Sequence, residues 1–245
     1  MPLTLPPERI KQSTRMVYQR LARAHSTNLS RAPVPDGKSL ARSLGYEPAG
    51  LPIPDAAWDL FAGCGNPHQW IKLEPEWTVL DLGCGVGIDC HIAAFDLKSP
   101  GRVIGLDYTR DLVELAPTYT PPQVRDRCVW LMADGEDIPI RSERINLALA
   151  NGSFNLLPRK DRCLAEVHRV LVPGGTLIAT DLVRVGELGA LGEGFEDAWA
   201  WCVAGALAPG GYAQLLAGAG FSRWDLRVTQ EYGPLAGAVL VAHKG

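Results

Sequence analysis

The chain has 245 residues, 47% of them hydrophobic and 21% charged, enough to fill the core of one large α/β domain. A net charge of −3 argues against a globally basic nucleic-acid or membrane-surface binder, and no apolar run approaches the roughly 20 residues of a membrane span. The opening Met1-Pro2-Leu3-Thr4-Leu5-Pro6-Pro7 lacks the charged-then-apolar order of a secretory signal, which points to the cytoplasm, where the six cysteines stay reduced. They form no C-x-x-C pair and no zinc spacing with histidine, so no metal site is expected.

In chain order, residues 6–21 suit an amphipathic helix, with Ile10, Met16, Val17 and Leu21 on one side. Its basic residues, among them Arg9, Lys11, Arg15, Arg20 and Arg23, have no interleaved aromatics and read as a solvated face. A linker at 32–37 leads to a short helix over 39–46, capped at Gly45. Gly63-Cys64-Gly65-Asn66-Pro67 suits neither helix nor strand and is expected to be a tight loop. Residues 1–60 are thus expected to form a helical extension or lid, and 61–245 the main domain.

The organising stretch is Thr78-Val79-Leu80-Asp81-Leu82-Gly83-Cys84-Gly85-Val86-Gly87. An apolar run ends in an acid and a glycine cluster, then passes into a helical segment at 88–97, the signature of a buried strand, a ligand-binding turn and a helix start. The dinucleotide fingerprint G-x-G-x-x-G fails here, because Ile88 stands where its last glycine belongs. A second strand at 102–107 ends in Asp107, whose carboxylate can accept hydrogen bonds from two ribose hydroxyls. A helix at 110–116 is expected to stop at Pro117, and a third strand at 128–132 delivers Asp134, Gly135 and Glu136. The fourth strand, 145–150, ends at Asn151-Gly152-Ser153-Phe154-Asn155. A helix at 159–171, a strand at 176–180 with Asp181 at its end, helices at 195–207 and 212–217, and a hairpin of 221–229 with 238–243 complete the chain. Ligands bind outside the carboxyl ends of parallel strands where strand order reverses, so Asp81, Asp107, Asp134 and Asn151 should converge.

The G-x-G-x-G turn behind Asp81, together with Asp107, resembles class I S-adenosylmethionine-dependent methyltransferases. Leu44-Gly45-Tyr46, the G-C-G-N-P loop, Asp89-Cys90, Asn151 with Asn155-Leu156, Val170 to Gly175 and Cys202 to Leu207 extend the resemblance to the arsenite methyltransferase family. The fold so implied is Rossmann-like α/β: a mostly parallel seven-stranded sheet with a C-terminal antiparallel hairpin and helices on both faces. The resemblance implies an S-adenosylmethionine cofactor held by Asp81, Gly83, Cys84, Gly85, Gly87, Asp107, Tyr108, Thr109 and Asn151. Asp134 would accept from the adenine amine, with the N–H groups of Gly135 and Glu136 reaching the ring. Tyr18 either closes over the sulfonium or packs in the core.

The catalytic candidates are Cys64, Cys202 and Asn155, the cysteines matching two of the family's metalloid-binding positions. The third such position, after the fourth strand, holds no cysteine, so the resemblance implies methyl transfer more firmly than it implies arsenic as acceptor. Cys84 and Cys90 are expected to be structural, and His68 is the one histidine kept as a possible acid or base. An organic acceptor walled by Phe154, Trp199 and Trp201 is equally compatible. A non-catalytic S-adenosylmethionine or metalloid binder is the second class of reading, favoured by decay of the glycine turn or of Asp107, neither of which is seen, whereas the missing glycine disfavours a nicotinamide oxidoreductase. The expected partner is a small-molecule acceptor, with no nucleic acid and no membrane, in a monomer or homodimer.

Overall fold

The computed structural model describes residues 5–26, 36–188 and 199–245. Seven strands form one sheet in the order β3-β2-β1-β4-β5-β7-β6. They are β1 Thr78–Leu82, β2 Arg102–Asp107, β3 Cys128–Met132, β4 Ile145–Asn151, β5 Leu171–Arg184, β6 Arg223–Tyr232 and β7 Leu235–His243. β1 is flanked by β2 and β4, both parallel to it, and β7 runs antiparallel between β5 and β6. Chain order therefore reverses between β1 and β4, and the crevice opens there.

The alternation of the central strands decides the two cores. Leu80 and Leu82 of β1 with Ala148 and Ala150 of β4 face a cluster built with Leu164, Val167 and Leu216. Val79, Leu147 and Leu149 face the other, built with Cys90, Ala93, Ala94 and Leu97. The first cluster is covered by helices α6 (Lys160–Val170) and α7 (Pro209–Ala219), the second by α4 (Ile88–Asp96). A third cluster joins α2 (Gly37–Ser43) and α3 (Asp55–Trp58), through Ala41, Ala57 and Trp58, to Val86, Ile88 and Leu112 near the glycine turn. Helix α1 (Pro7–Ser26) adds Ala22 and Tyr18 to that cap. No helix among the described residues is long and apolar enough to cross a membrane.

Three expectations change. Helix α5 runs Arg110–Tyr119 through Pro117: the proline denies the Val113 carbonyl its donor, but only Thr118 and Tyr119 follow it in the helix, and Leu112 and Ala116 anchor the face beneath. β5 extends on both sides of the expected 176–180: Leu171 pairs with Ile145 across a register shift, and pairing with β7 continues to Arg184 opposite Leu235. Asp181 thus lies mid-strand, one residue beyond the last pair with β4, Asn151 with Thr180. Of the helix expected at 195–207, residues 195–198 lie outside the described residues, as does most of the linker at 32–37; only Trp199 and Ala200 are helical, and turns follow.

His91, on α4, is buried against Trp130, and its Nδ1 has no hydrogen-bond partner. Burial pushes its pKa down to about 4. The folded state then binds fewer protons than the unfolded chain between about pH 6.5 and 4, so stability is lost as pH falls through that window. The full loss attributable to this group is about 3 kcal/mol. Urea unfolding at pH 7 and pH 5 should show a smaller acid penalty in His91→Gln than in the wild type, and equal penalties would sink the assignment.

Candidate active site

β1 delivers Asp81 to the crevice, and the turn behind it carries Gly83, Gly85 and Gly87 at φ of +72°, +55° and +90°. Side chains rarely adopt these angles, and a Cβ on Gly87 would strike the Trp130 ring. Asp107 at the end of β2 closes the turn: Gly85 N–H donates to one carboxylate oxygen at 2.9 Å and Thr109 N–H to the other at 2.7 Å. Each oxygen keeps a lone pair for a ligand. Burial raises the Asp107 pKa, and burial with the neighbouring Asp89 charge raises that of Asp81 well above the usual carboxylate range. The Cys90 thiol donates to Asp81 at 3.1 Å, in keeping with a structural role.

A cavity of about 520 Å³ stands over this turn. Of the residues expected at the cofactor, Asp81, Gly83, Cys84 and Gly85 line it, with Asp107, Tyr108, Thr109, Asp134, Gly135 and Asn151. Gly87 does not line it and acts through the backbone as the left-handed cap of α4. Glu136 also stays out of the lining: it is buried, taking Lys11 Nζ at 2.5 Å on one oxygen and Arg159 N–H at 2.9 Å on the other.

Helix α1 roofs the cavity with Lys11, Thr14, Arg15, Tyr18 and Leu21. Lys11 Nζ reaches Asp134 at 2.6 Å, so the carboxylate expected to meet an adenine amine already holds a cation. Arg15 lies 3.9 Å over the Tyr108 ring. Tyr18 donates to the Ala200 carbonyl at 3.2 Å and packs against the third core cluster, so it both borders the cavity and joins the core. Thr14 Oγ1 and Arg15 Nε are buried without a protein partner. Orphaned donors in a cavity wall that also carries a free-lone-pair carboxylate and a glycine turn fit a polar, nucleoside-like ligand. Tyr18 is open to such a place from the sequence, whereas Lys11 and Arg15 read there as part of a solvated face and Thr14 gives no sign.

Asn151 lines the cavity, and its side-chain amide is taken up by the segments around it. Its Oδ1 accepts from Cys64 N–H at 2.8 Å, Gly65 N–H at 3.2 Å and Thr180 Oγ1 at 2.8 Å. Its Nδ2 faces the Tyr46 hydroxyl, the Gly65 carbonyl and Asp89. The side chain therefore borders the cavity but is fully engaged in clamping the Cys64 loop. Asp89 also takes the Tyr46 hydroxyl at 2.6 Å and His68 Nε2 at 2.9 Å. Burial alone would raise the Asp89 pKa, but His68 and these hydrogen bonds outweigh it and hold it low. His68 is thus tied into the clamp rather than facing the cavity.

Gly152, at φ +69°, is the wall between cavity and thiols: a Cβ there would stand 3.2 Å from Cys64 Sγ, and its carbonyl accepts from Cys202 Sγ at 3.1 Å. The Cys64 and Cys202 sulfurs lie within 4.8 Å of each other, and the neighbouring thiol together with burial raises the Cys202 pKa well above normal. Cys202 itself sits at φ +63°, a strained angle for a side chain, and aims its sulfur inward. Asn155 is 0% exposed and does not line the cavity. Its amide donates to Asp181 at 2.8 Å and to the Leu182 carbonyl at 2.7 Å, while Tyr212 donates to its oxygen at 2.5 Å. This makes it a positioning residue for Asp181, whose pKa burial raises to about 6. Phe154 is in the core, Trp201 is exposed and Trp199 lies 5.3 Å from Lys160 Nζ, so the three expected aromatic walls do not line the cavity.

A family model described as a methyltransferase domain matches residues 73–229. An arsenite methyltransferase of Halobacterium salinarum is 31% identical over 188 residues, covering 77% of this chain and 48% of its own length. A demethylmenaquinone methyltransferase of Lactiplantibacillus plantarum is 37% identical over 113 residues, 45% of this chain and 47% of its own. The chain spans about half the length of these curated relatives. Among solved structures, an arsenic(III) S-adenosylmethionine methyltransferase from Chlamydomonas reinhardtii matches with a TM-score of 0.63 at 24% identity, covering 86% of this chain and 74% of that one, a likeness of fold. Since the family model spans most of the sheet and contains both the glycine turn and Asp107, the chain belongs to the methyltransferase-domain family.

Proposed function

We propose that this chain transfers the methyl group of S-adenosylmethionine to a small acceptor held at Cys64 and Cys202, with a trivalent arsenical as the acceptor to test first. The observation that carries the reading is one continuous arrangement. The glycine turn and Asp107 line one cavity, and the two thiols, their sulfurs within 4.8 Å of each other, stand behind its Gly152 wall. When bound, S-adenosylmethionine would supply an electrophilic methyl on a cationic sulfur. Asp107 would accept ribose hydroxyls, the orphaned Thr14 and Arg15 donors would meet polar atoms of the ligand, and residues before 60 would act as its cap. Such a displacement needs alignment more than a base, so the work of the thiols is to hold the acceptor's lone pair in line. Two sulfurs suit a soft, trivalent ion that already carries one methyl, whereas arsenite would lack a third thiolate.

The test is S-adenosylhomocysteine formation by the full chain with monomethyl trivalent arsenic, and separately with arsenite plus glutathione. Turnover is expected with the methylated arsenical and a loss of at least about a hundredfold in a Cys64→Ser/Cys202→Ser double variant. Equal turnover in that variant would remove the thiols from the reading. Cofactor binding with no arsenical turnover would move the acceptor to an organic molecule, for which Leu60, Phe61, Leu156 and Leu157 offer apolar walls.

A further inference from the structure

Behind Gly152 the two thiols have a third companion that no spacing along the chain would disclose. Cys64 Sγ, Cys202 Sγ and an Asp181 carboxylate oxygen all lie within 4.8 Å of one another. In a tetrahedral zinc site with sulfur at about 2.3 Å and oxygen at about 2.0–2.2 Å, neighbouring donors stand about 3.4–3.8 Å apart. The cluster is thus within about an ångström of closing on such an ion. Its donor set also differs from one that selects a purely thiophilic metalloid: two soft sulfurs and one hard oxygen match a borderline dication.

The surroundings have the features of a built site. Asn155 fixes both oxygens of Asp181, its backbone N–H donating at 3.0 Å and its side chain at 2.8 Å, as outer-shell groups do for ligating carboxylates. Cys202 is held in a strained left-handed conformation that points its sulfur at the other donors. Two thiolates and a carboxylate on a dication leave one net negative charge, and the Lys160 side chain, 7% exposed, interacts electrostatically with both Asp181 and Cys202. Gly152 carries no side chain, so the space beside Cys64 Sγ towards the cavity is left open.

We propose that Cys64, Cys202 and Asp181 form a three-donor site for a zinc-class divalent cation, with its fourth position facing the Gly152 end of the cavity. Three protein ligands and one open position is the pattern of a catalytic rather than a structural zinc site. A small thiol occupying that position would bind as its thiolate, displacing water from the ion and releasing its proton to the buffer, as the two cysteines do on binding the ion. The site stands apart from the arsenical reading, since it needs only the three donors; an arsenical would compete with the cation for the same sulfurs.

Cobalt(II) is the probe, titrated into the purified, reduced full chain without S-adenosylmethionine and then displaced with zinc(II). One equivalent is expected to bind with a thiolate-to-cobalt charge-transfer band and tetrahedral d–d absorption. Cys64→Ser and Cys202→Ser should each weaken that band, and Asp181→Asn should lower cobalt affinity at least tenfold while keeping it. Asp181→Cys should strengthen the band and shift preference from cobalt(II) to cadmium(II). In the wild type, zinc(II) should slow modification of half-buried Cys64 by a thiol reagent at least tenfold, a readout that depends on no variant folding. Absence of the charge-transfer band, absence of zinc protection, or undiminished affinity in a folded Asp181→Asn variant would overturn the site. Methyl transfer is not measured in any arm, so this site and the proposed activity can fail separately.

Discussion

Asp107→Ala is expected to weaken S-adenosylmethionine binding about a hundredfold while the sheet stays folded. The carboxylate serves two partners at once. Inward, it holds the glycine turn through Gly85 N–H and the start of α5 through Thr109 N–H. Outward, its remaining lone pairs face the cavity that the proposed cofactor would fill. Hydrogen bonds to a charged group contribute roughly 1.5–3 kcal/mol each, so losing the ligand contacts and loosening the turn together amount to about 3 kcal/mol, or about a hundredfold in affinity. Asp107→Asn should do little better, because its amide would turn a donor towards one of the two backbone N–H groups. Calorimetric titration with S-adenosylmethionine, beside a thermal melt, checks both halves. A change of less than about threefold with an unaltered melt would take Asp107 out of the cofactor site.

How far the sequence carried the site depended on whether the information was local. The run Val79 to Leu82 could only be a doubly buried strand, and glycines at 83, 85 and 87 after an acid could only be a tight turn, so β1, its turn and α4 were legible to within a residue. Pro117 misled because the bond it removes, to the Val113 carbonyl, falls where only Thr118 and Tyr119 remain to be held, and nothing local said that α5 was nearly over. β5 was underestimated because its outer halves are made by partners, Ile145 at one end and Leu235 at the other, rather than by its own alternation. The same holds for function. Asp134 was found at the right strand end, but its Lys11 partner lies 123 positions away. Cys64, Asp181 and Cys202 meet only because β4, β5 and the following turn bring distant segments to one crevice. Residues whose role is to hold other residues, Asn151 and Asn155, were visible as positions and not as partners.

Asn151→Ala should separate the two halves of the site: cofactor affinity preserved within about threefold, acceptor turnover down by about a hundredfold or more, and stability lower by about 2–4 kcal/mol. The reasoning rests on what its amide carries. Removing Oδ1 leaves the N–H groups of Cys64 and Gly65 without their acceptor, and removing Nδ2 frees Asp89 and the Tyr46 hydroxyl that brace the loop from behind. A displaced Cys64 would move away from the Cys202 sulfur now within 4.8 Å of its own, and misplacement of an acceptor by about an ångström is worth about a hundredfold in rate. S-adenosylhomocysteine formation, calorimetry and the rate at which a thiol reagent modifies Cys64 give three independent readings, the last expected to rise as the clamp opens. Equal losses of affinity and turnover would instead make Asn151 a direct cofactor contact. Asn151→Asp sharpens the distinction, because it keeps the acceptor for Cys64 N–H but sets a second carboxylate 3.0 Å from Asp89. That variant should fail at neutral pH and recover partly as the pair takes up a proton in mild acid, whereas a lost cofactor contact would show no such recovery.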